Sequence, residues 1–234
     1  MPYKIGIILG STRTHSNSEG ILKYFTSSII PTPNHSDTSS ESELRSNTQS
    51  QFESESNSGS EVKPEIEFEI IHLNQSPGHP LPLLLDEVIP QAHPKDHVLL
   101  PQSYSDPSIQ KWSETVEGWD GVLILTPQYN WGYPAPLKNA LDHLYHEWTG
   151  KPFALITLGG HGGSKVHDQL LTVLEGGLKM RSIDKSRHVQ IILPREFITS
   201  SERVKGDEEW LCAYKEQLEG LVDALKLAVE EKKR

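Results

Sequence analysis

The sequence predicts an α/β fold in which helices cover both faces of a parallel β-sheet. Apolar runs without polar alternation, such as residues 122–125, are typical of strands buried on both faces. Segments with apolar residues three and four apart, typical of amphipathic helices, separate these runs along the chain. Strands that alternate with helices in this way form a three-layered structure around a parallel sheet.

Five strands are predicted from short apolar segments bounded by turn residues. The first, residues 3–9, and the third, from Gly121 to the strand breaker Pro127, are largely apolar. The second, residues 65–73, alternates acidic and apolar residues in its first half, which indicates an edge or half-exposed strand. The fourth and fifth strands span residues 152–158 and 188–193.

Helices are predicted between these strands from apolar spacing and from signals at their ends. Residues 21–29 carry the first, and Asp106 caps a second that starts near Pro107. Prolines tolerated in a first turn begin a third helix at residue 134, whose apolar positions continue to Trp148. The glycines 176–177 end a fourth, and residues 207–231 form a closing amphipathic helix.

Two segments interrupt this alternation. Residues 31–64 are rich in Ser, Asn, Gln, Glu and Pro, so they lack the apolar surface that ordering requires. We therefore expect one domain, residues 1–234, with a disordered insertion at residues 31–64 that is either a plain spacer or a carrier of phosphorylation sites. The many prolines between the second strand and Pro107 predict a long irregular crossover.

The composition argues against several classes of function. A formal net charge of −10, with no basic block beyond residues 232–234, is unsuited to a nucleic-acid surface. No apolar run approaches the ~20 residues of a membrane span, and the first run is too short for a signal peptide, so we expect a cytoplasmic protein. The single cysteine, Cys212, cannot form an intramolecular disulfide, and its helical context favours packing over reactivity.

The turn after the first strand is rich in hydroxyl groups. It contains Ser11, Arg13, Ser16, Asn17 and Ser18 directly before the first helix. Helix N-terminal amides and Ser hydroxyls donate toward one point, and a guanidinium pairs with phosphate oxygens, so these residues are candidates for a phosphate site. An ordinary N-cap explains the segment equally well, because Ser16, Asn17 or Ser18 alone would suffice for it.

Two further strands end in unusual loops. The third strand is followed by two amides, two aromatic rings, a proline and a glycine, which suit a flat heteroaromatic ligand: Pro127, Gln128, Tyr129, Asn130, Trp131 and Gly132. The fourth is followed by a glycine-rich loop, in which backbone can approach a ligand closely: Gly159, Gly160, His161, Gly162 and Gly163. His161 is a candidate for contact with a ligand because it lies within this loop.

These three loops are expected to meet. In a doubly wound sheet, ligands bind outside the carboxyl ends of the strands, where the strand order reverses. The loops after the first, third and fourth strands then offer one crevice with a phosphate site and a surface for a flat ring, and FMN carries both groups. The turn at Gly10 lacks the further glycines of a dinucleotide fingerprint, which also favours FMN.

Four segments carry a family resemblance: GSTRTHS at Gly10, LPLLLDE at Leu81, TPQYNWGYPAPLKNALD at Thr126 and LGGHGGSK at Leu158. With them the sequence resembles the NAD(P)H-dependent FMN reductase family of flavodoxin-like quinone and azo reductases. The resemblance implies a flavodoxin-like three-layer sandwich with a five-stranded parallel sheet of order 2-1-3-4-5. It also implies which residues hold FMN. Ser11, Arg13, Ser16 and Ser18 would bind the phosphate, residues 127–130 would line the isoalloxazine, and residues 159–163 would cover its other edge, with Trp131 at the substrate face.

The activity implied by this resemblance is two-electron reduction of quinones, free flavin or azo compounds. NADPH or NADH stacks on the exposed flavin face, passes a hydride and leaves, and a small quinone-like acceptor takes its place. No catalytic side chain is required, because the cofactor carries the chemistry. The resemblance also implies a homodimer. An FMN-binding redox-sensing regulator, or a flavodoxin-type electron carrier with little turnover, is the alternative.

Two histidines are candidates for a metal site. His143 and His146 lie three residues apart on a predicted helix beside Asp142 and Glu147, a spacing that suits a metal ion. A third ligand at matching spacing is not evident, so we expect no metal and interpret both histidines as solvated or interfacial.

Overall fold

Six parallel strands form one sheet. The computed structural model describes residues 2–30, 66–83, 87–97 and 99–234. Its strands are β1 (Tyr3–Leu9), β2 (Ile66–His72), β3 (Gly121–Pro127), β4 (Pro152–Gly159), β5 (Arg181–Ser182) and β6 (Val189–Ile192). The order β2-β1-β3-β4-β5, with β6 also paired to β4, confirms the flavodoxin-like prediction.

The fifth position of the sheet is shared by two short strands. β5 pairs with Pro152 and Phe153 at the start of β4, whereas β6 pairs with residues 156–159 at its end. The strand predicted at residues 188–193 is β6, and β5 is an addition that the sequence analysis missed. Two residues are too few to produce a periodic signal.

Seven α-helices lie in the described part of the chain. They are α1 (Asn17–Ser28), α2 (Leu100–Ser103), α3 (Pro107–Glu117), α4 (Ala135–Asp142), α5 (Ser164–Leu171), α6 (Glu196–Thr199) and α7 (Lys215–Lys233). The predicted cap of α3 is confirmed, because the Asp106 carboxylate accepts a hydrogen bond from the Ser108 amide at 2.7 Å.

Alternate side chains of β1, β3 and β4 enter two cores, one on each face of the sheet. Ile5 and Ile7 of β1 pack with apolar residues of α1 and α7, whereas Ile8 packs with those of α3, α4 and α5. This division follows from the two-residue period of a strand. Burial of strands on both faces explains why their sequences lack polar alternation.

Helix α4 is shorter than the apolar spacing predicts. It ends at Asp142, and Leu144 and Trp148 are buried in the turns that follow. Side chains replace the missing helical bonds: the Trp148 indole donates to the Leu141 carbonyl at 3.1 Å, and the Glu147 carboxylate accepts from the Tyr145 amide at 3.2 Å. Tertiary hydrogen bonding therefore overrides the local period.

The closing helix begins later than predicted. Residues Glu209–Tyr214 form a 3₁₀ segment, and α7 starts at Lys215. Cys212 lies in that segment and is exposed, so the expectation that it packs against the core is wrong.

The predicted insertion, residues 31–64, lies outside the described residues. The described parts of the crossover after β2 are irregular apart from a 3₁₀ turn at Pro90–Ala92 and the single turn of α2, as the prolines predict. Within the described ranges, no helix has the length and apolar character needed to cross a bilayer.

Candidate functional site

The loops after β1, β3 and β4 meet at one cavity. Its volume is about 360 Å³, within the range of roughly 300–1,000 Å³ typical of small-molecule sites. Ten of the predicted site residues line it: Arg13, Ser16, Asn17, Ser18, Pro127, Gln128, Tyr129, Asn130, Gly159 and Gly160. The loops converge because parallel strands end at the same edge of the sheet.

Six predicted residues do not line this cavity. They are Ser11, Trp131, Gly132, His161, Gly162 and Gly163. Ser11 is buried and braces the site from behind: its Oγ lies 2.9 Å from the Tyr129 hydroxyl and accepts the Arg13 amide at 3.4 Å. The hydroxyl pair joins the first loop to the second.

Ser16 and Ser18, at the start of α1, have different environments. Ser16 is the N-cap, and its Oγ accepts a hydrogen bond from the Glu19 amide at 3.3 Å. Ser18 is fully buried, and its Oγ has no hydrogen-bond partner among the residues that the structure describes. A buried hydroxyl without a partner costs about 1–3 kcal/mol, so its position in the cavity lining indicates an acceptor supplied by a ligand.

Residues Tyr129 to Gly132 form a tight turn closed by two backbone hydrogen bonds of 2.8 and 2.9 Å. The central residues, Asn130 and Trp131, have φ of +46° and +70°, in the left-handed region that disfavours residues with a side chain. Trp131 is 70% exposed, with the Lys165 ammonium 5.7 Å from its ring centroid. The strained turn thus presents an indole ring beside the cavity rather than inside it.

The glycine-rich loop divides into two parts. Gly159 and Gly160 line the cavity. Gly162 and Gly163 instead have φ of +68° and +70° and pack inward. A Cβ on Gly163 would approach the Leu158 backbone to 3.0 Å, so this residue is required by the turn into α5. His161 is exposed and does not line the cavity, so its contact with a ligand stays a prediction.

Six lining residues were missed by the sequence analysis. They are His15, Leu158, Leu193, Phe197, Ile198 and Arg203. Three of them, Phe197, Ile198 and Arg203, belong to residues 194–206, which we call the C-terminal strap. The available signal was the position of this segment, since a loop that follows β6 also leaves the carboxyl edge of the sheet.

The cavity is positively charged although the chain is acidic. Arg13 and Arg203 line it, and no carboxylate among the described residues does, in a chain whose formal net charge is −10. The Arg13 guanidinium carbon lies 4.6 Å from the Tyr129 ring centroid, a cation–π contact that holds this loop over the second. Beside the loop that follows β3, burial raises the pKa of the Tyr133 phenol. The two arginines of the lining favour an anionic ligand.

The histidines weighed as metal ligands bond to carbonyl groups instead. His143 is buried, and its Nε2 lies 2.9 Å from the Pro82 carbonyl oxygen, so the solvated alternative is wrong for this residue and the interfacial one stays a prediction. The His146 Nε2 lies 3.2 Å from the Gln91 carbonyl and 3.1 Å from that of His93. In the described part of the chain, no three His, Cys, Asp or Glu side chains form a metal-binding group.

The family of the chain follows from comparison with known proteins. A family model described as NADPH-dependent FMN reductase matches residues 3–190. The chain belongs to the NADPH-dependent FMN reductase family. This match covers the loops after β1, β3 and β4, and it ends before the C-terminal strap.

Individual relatives in the NADPH-dependent FMN reductase family match in part. An NAD(P)H-dependent FMN reductase of Saccharomyces cerevisiae is 51% identical over 98 residues, 42% of this chain and 48% of the relative. One from Schizosaccharomyces pombe is 54% identical over 78 residues, 33% of this chain and 38% of the relative. These matches span about half of the relatives' length or less. The flavoenzyme NAD(P)H:(acceptor) oxidoreductase of Paracoccus denitrificans has a similar fold, with a TM-score of 0.60 and 21% identity over 98% of both chains.

Proposed function

We propose that the protein is an FMN-dependent NAD(P)H oxidoreductase that reduces quinones, free flavin or azo compounds by ping-pong two-electron transfer. The observation that carries this proposal is the meeting of three strand-end loops at one cationic cavity in which Ser18 has a buried, unpartnered hydroxyl. Family membership and the activities named for the yeast relatives support the same assignment.

The donor set fits the phosphate of FMN. The Ser18 hydroxyl and the amides of the first turn of α1 are available to donate to an anion, because Ser16 satisfies only the Glu19 amide among the groups of that turn. Arg13 lines the same cavity and supplies a positive charge. With its phosphate held here, FMN would place its flat ring against residues 127–130 and 159–160.

When bound, FMN would supply the hydride chemistry. The protein's own residues would bind and orient the cofactor. Pro127 and Gln128 form a rigid wall of the cavity, since Pro127 ends β3 and the Gln128 amide donates to the Leu158 carbonyl at 2.9 Å. Gln128 Oε1 in turn accepts the Lys165 amide at 3.2 Å, which fixes its side chain against α5. Trp131 and Lys165 stand beside this wall, where an aromatic acceptor or a nicotinamide would approach.

We also propose a homodimer. Leu83 is 79% exposed and lines an apolar cavity of about 160 Å³ with Leu81 and Pro136, near the start of α4. A second copy would cover this surface. Size-exclusion chromatography with light scattering should give twice the chain mass for the wild type and a monomer for Leu83→Glu. A wild-type monomer would refute the dimer and leave the cofactor site unaffected.

The activity is tested by visible spectroscopy of the purified protein. A bound-flavin band that bleaches on anaerobic addition of NADPH and returns on addition of a quinone is the expected result. A band that stays unbleached would move the function to a redox-sensing regulator or an electron carrier. Absence of flavin after FMN is supplied would refute the site itself.

A cytoplasmic location is proposed with this activity, because the cytoplasm supplies reduced nicotinamide nucleotides. Cell fractionation with detection of the native protein checks it, and recovery in a membrane or secreted fraction would refute it.

A further inference from the structure

We propose that the C-terminal strap is the second wall of the phosphate site, and that Arg203 pairs with the FMN phosphate from the side opposite the start of α1. This inference rests on the proposed function. It concerns a part of the chain that lies beyond the family match, which ends at residue 190.

Asn17, at the start of α1, fixes the C-terminal strap to the loop that follows β1. Its Nδ2 donates to the Phe197 carbonyl at 2.8 Å, and its Oδ1 accepts the Val204 amide at 3.1 Å. Both polar atoms of one amide thus hold two points of the strap that are seven residues apart. Asn17 therefore acts as a positioning residue for Arg203, the neighbour of Val204, although its sequence position predicted direct contact with phosphate.

The strap also lies in close contact with α1. A Cβ added to Gly20 would lie 2.0 Å from the Val204 carbonyl oxygen, so only glycine allows this approach. Gly206, at φ of +94°, also lies close to α1, since a Cβ there would be 2.7 Å from the Gly20 carbonyl oxygen. The strap is consequently held beside the first turn of α1 by backbone packing on both sides.

Arg203 brings a positive charge for which the described residues supply no ion-pair partner. Its Nη1 donates to the Ser200 carbonyl at 2.9 Å and to the Glu202 carbonyl at 2.5 Å, which orients the guanidinium. Across the described ranges, no carboxylate forms an ion pair with Arg203 or with Arg13. Both arginines line the cavity from which carboxylates are absent.

A phosphate dianion is the ligand that this pair suits. A guanidinium offers several donors in a fixed plane that matches phosphate oxygens, and ion-paired hydrogen bonds of this kind are among the strongest in proteins. The Ser18 hydroxyl would donate from the α1 side and Arg203 from the strap side, so the phosphate is enclosed.

The test compares FMN with riboflavin, which has the same ring system and lacks the phosphate. Dissociation constants are measured by flavin fluorescence for the wild type and Arg203→Gln. We expect the variant to bind FMN about tenfold more weakly and riboflavin with unchanged affinity. Arg203→Lys keeps the charge but loses the planar group, so its dissociation constant for FMN should lie between those of the wild type and Arg203→Gln. Circular dichroism confirms that each variant is folded.

The matched control is Arg195→Gln, an exposed arginine of the same strap that does not line the cavity. It removes the same charge and should leave the affinities for both flavins unchanged. An equal loss in Arg195→Gln and Arg203→Gln would show a general charge effect and overturn the inference.

Other outcomes also overturn it in distinguishable ways. Equal weakening of FMN and riboflavin in Arg203→Gln assigns Arg203 to the ring or to the shape of the strap. Unchanged FMN affinity with a raised KM for NADPH assigns Arg203 to the nicotinamide nucleotide. A wild type that binds neither flavin refutes the proposed function together with this inference, whereas normal wild-type binding with an unaffected variant refutes the inference alone.

Discussion

His188 gives the protein a specific sensitivity to acid. It lies just before β6, where its Nδ1 accepts the Leu155 amide of β4 at 3.0 Å and its Nε2 lies 2.9 Å from the Ser182 hydroxyl. Since Ser182 donates its own proton to the Ile183 carbonyl, the ring must carry its proton on Nε2. Only neutral imidazole makes both bonds, and protonation would remove the acceptor for a strand amide.

The size of the effect follows from the pKa of His188. Burial, with smaller contributions from the neighbouring His167 and Lys185, lowers this pKa from its ordinary value to about 4. Below the ordinary pKa of about 6.5 the unfolded chain binds a proton that the folded protein does not, so stability falls as the pH decreases toward 4. Between pH 7 and pH 5, the free energy of unfolding should decrease by about 2 kcal/mol through this group alone.

The variant His188→Asn tests this reasoning. Asparagine keeps an oxygen acceptor for the Leu155 amide but does not titrate, although loss of ring stacking on Phe153 lowers its stability at every pH. Urea unfolding followed by circular dichroism at pH 7 and pH 5 gives the pH dependence of each protein. Titrating groups that do not contact residue 188 are common to both proteins and cancel in the difference. Equal pH dependence in the wild type and His188→Asn would refute the assignment.

Three further predictions concern the candidate site. Ser18→Ala should weaken FMN binding about five- to tenfold, as measured by calorimetry. The melting temperature of the flavin-free protein should stay unchanged or rise, because the substitution removes an unpartnered buried hydroxyl. A lower melting temperature with unchanged FMN affinity would contradict this. Trp131→Gly should raise the free energy of unfolding by about 1 kcal/mol, because glycine adopts a positive φ without strain. The same variant should raise KM for a quinone acceptor. Trp131→Phe is the control, because it keeps an aromatic ring at this position. Gly20→Ala should displace Val204 and weaken FMN binding, and unchanged affinity would show that the strap does not contribute.

Much of the fold was predictable because burial requires apolar residues over a short, continuous stretch of the sequence. The apolar runs of β1, β3 and β4 exist because these strands are covered on both faces, and the Asp106 cap of α3 is a signal within two residues of its partner. The errors arose where distant groups decide the backbone. Helix α4 ends at Asp142 although its apolar period continues, since Glu147 and Trp148 satisfy the backbone groups that follow.

The candidate site shows the same division. Loop composition predicted that residues after β1, β3 and β4 would form one site, and ten of those residues line one cavity. Composition did not distinguish Ser16, which caps α1, from Ser18, whose hydroxyl is buried in the lining without a partner. The choice depends on the direction of each side chain on the helix, which neighbouring residue types do not reveal.

The sequence by itself determined the long strands and helices, the parallel sheet and the three ligand loops, because each is specified by periodicity or residue type over a short span. Only the tertiary structure placed the C-terminal strap in the site. The contacts of Asn17 with Phe197 and Val204 join residues 180 and 187 positions apart. Such contacts leave no local pattern, since they depend on where β6 ends in the folded sheet.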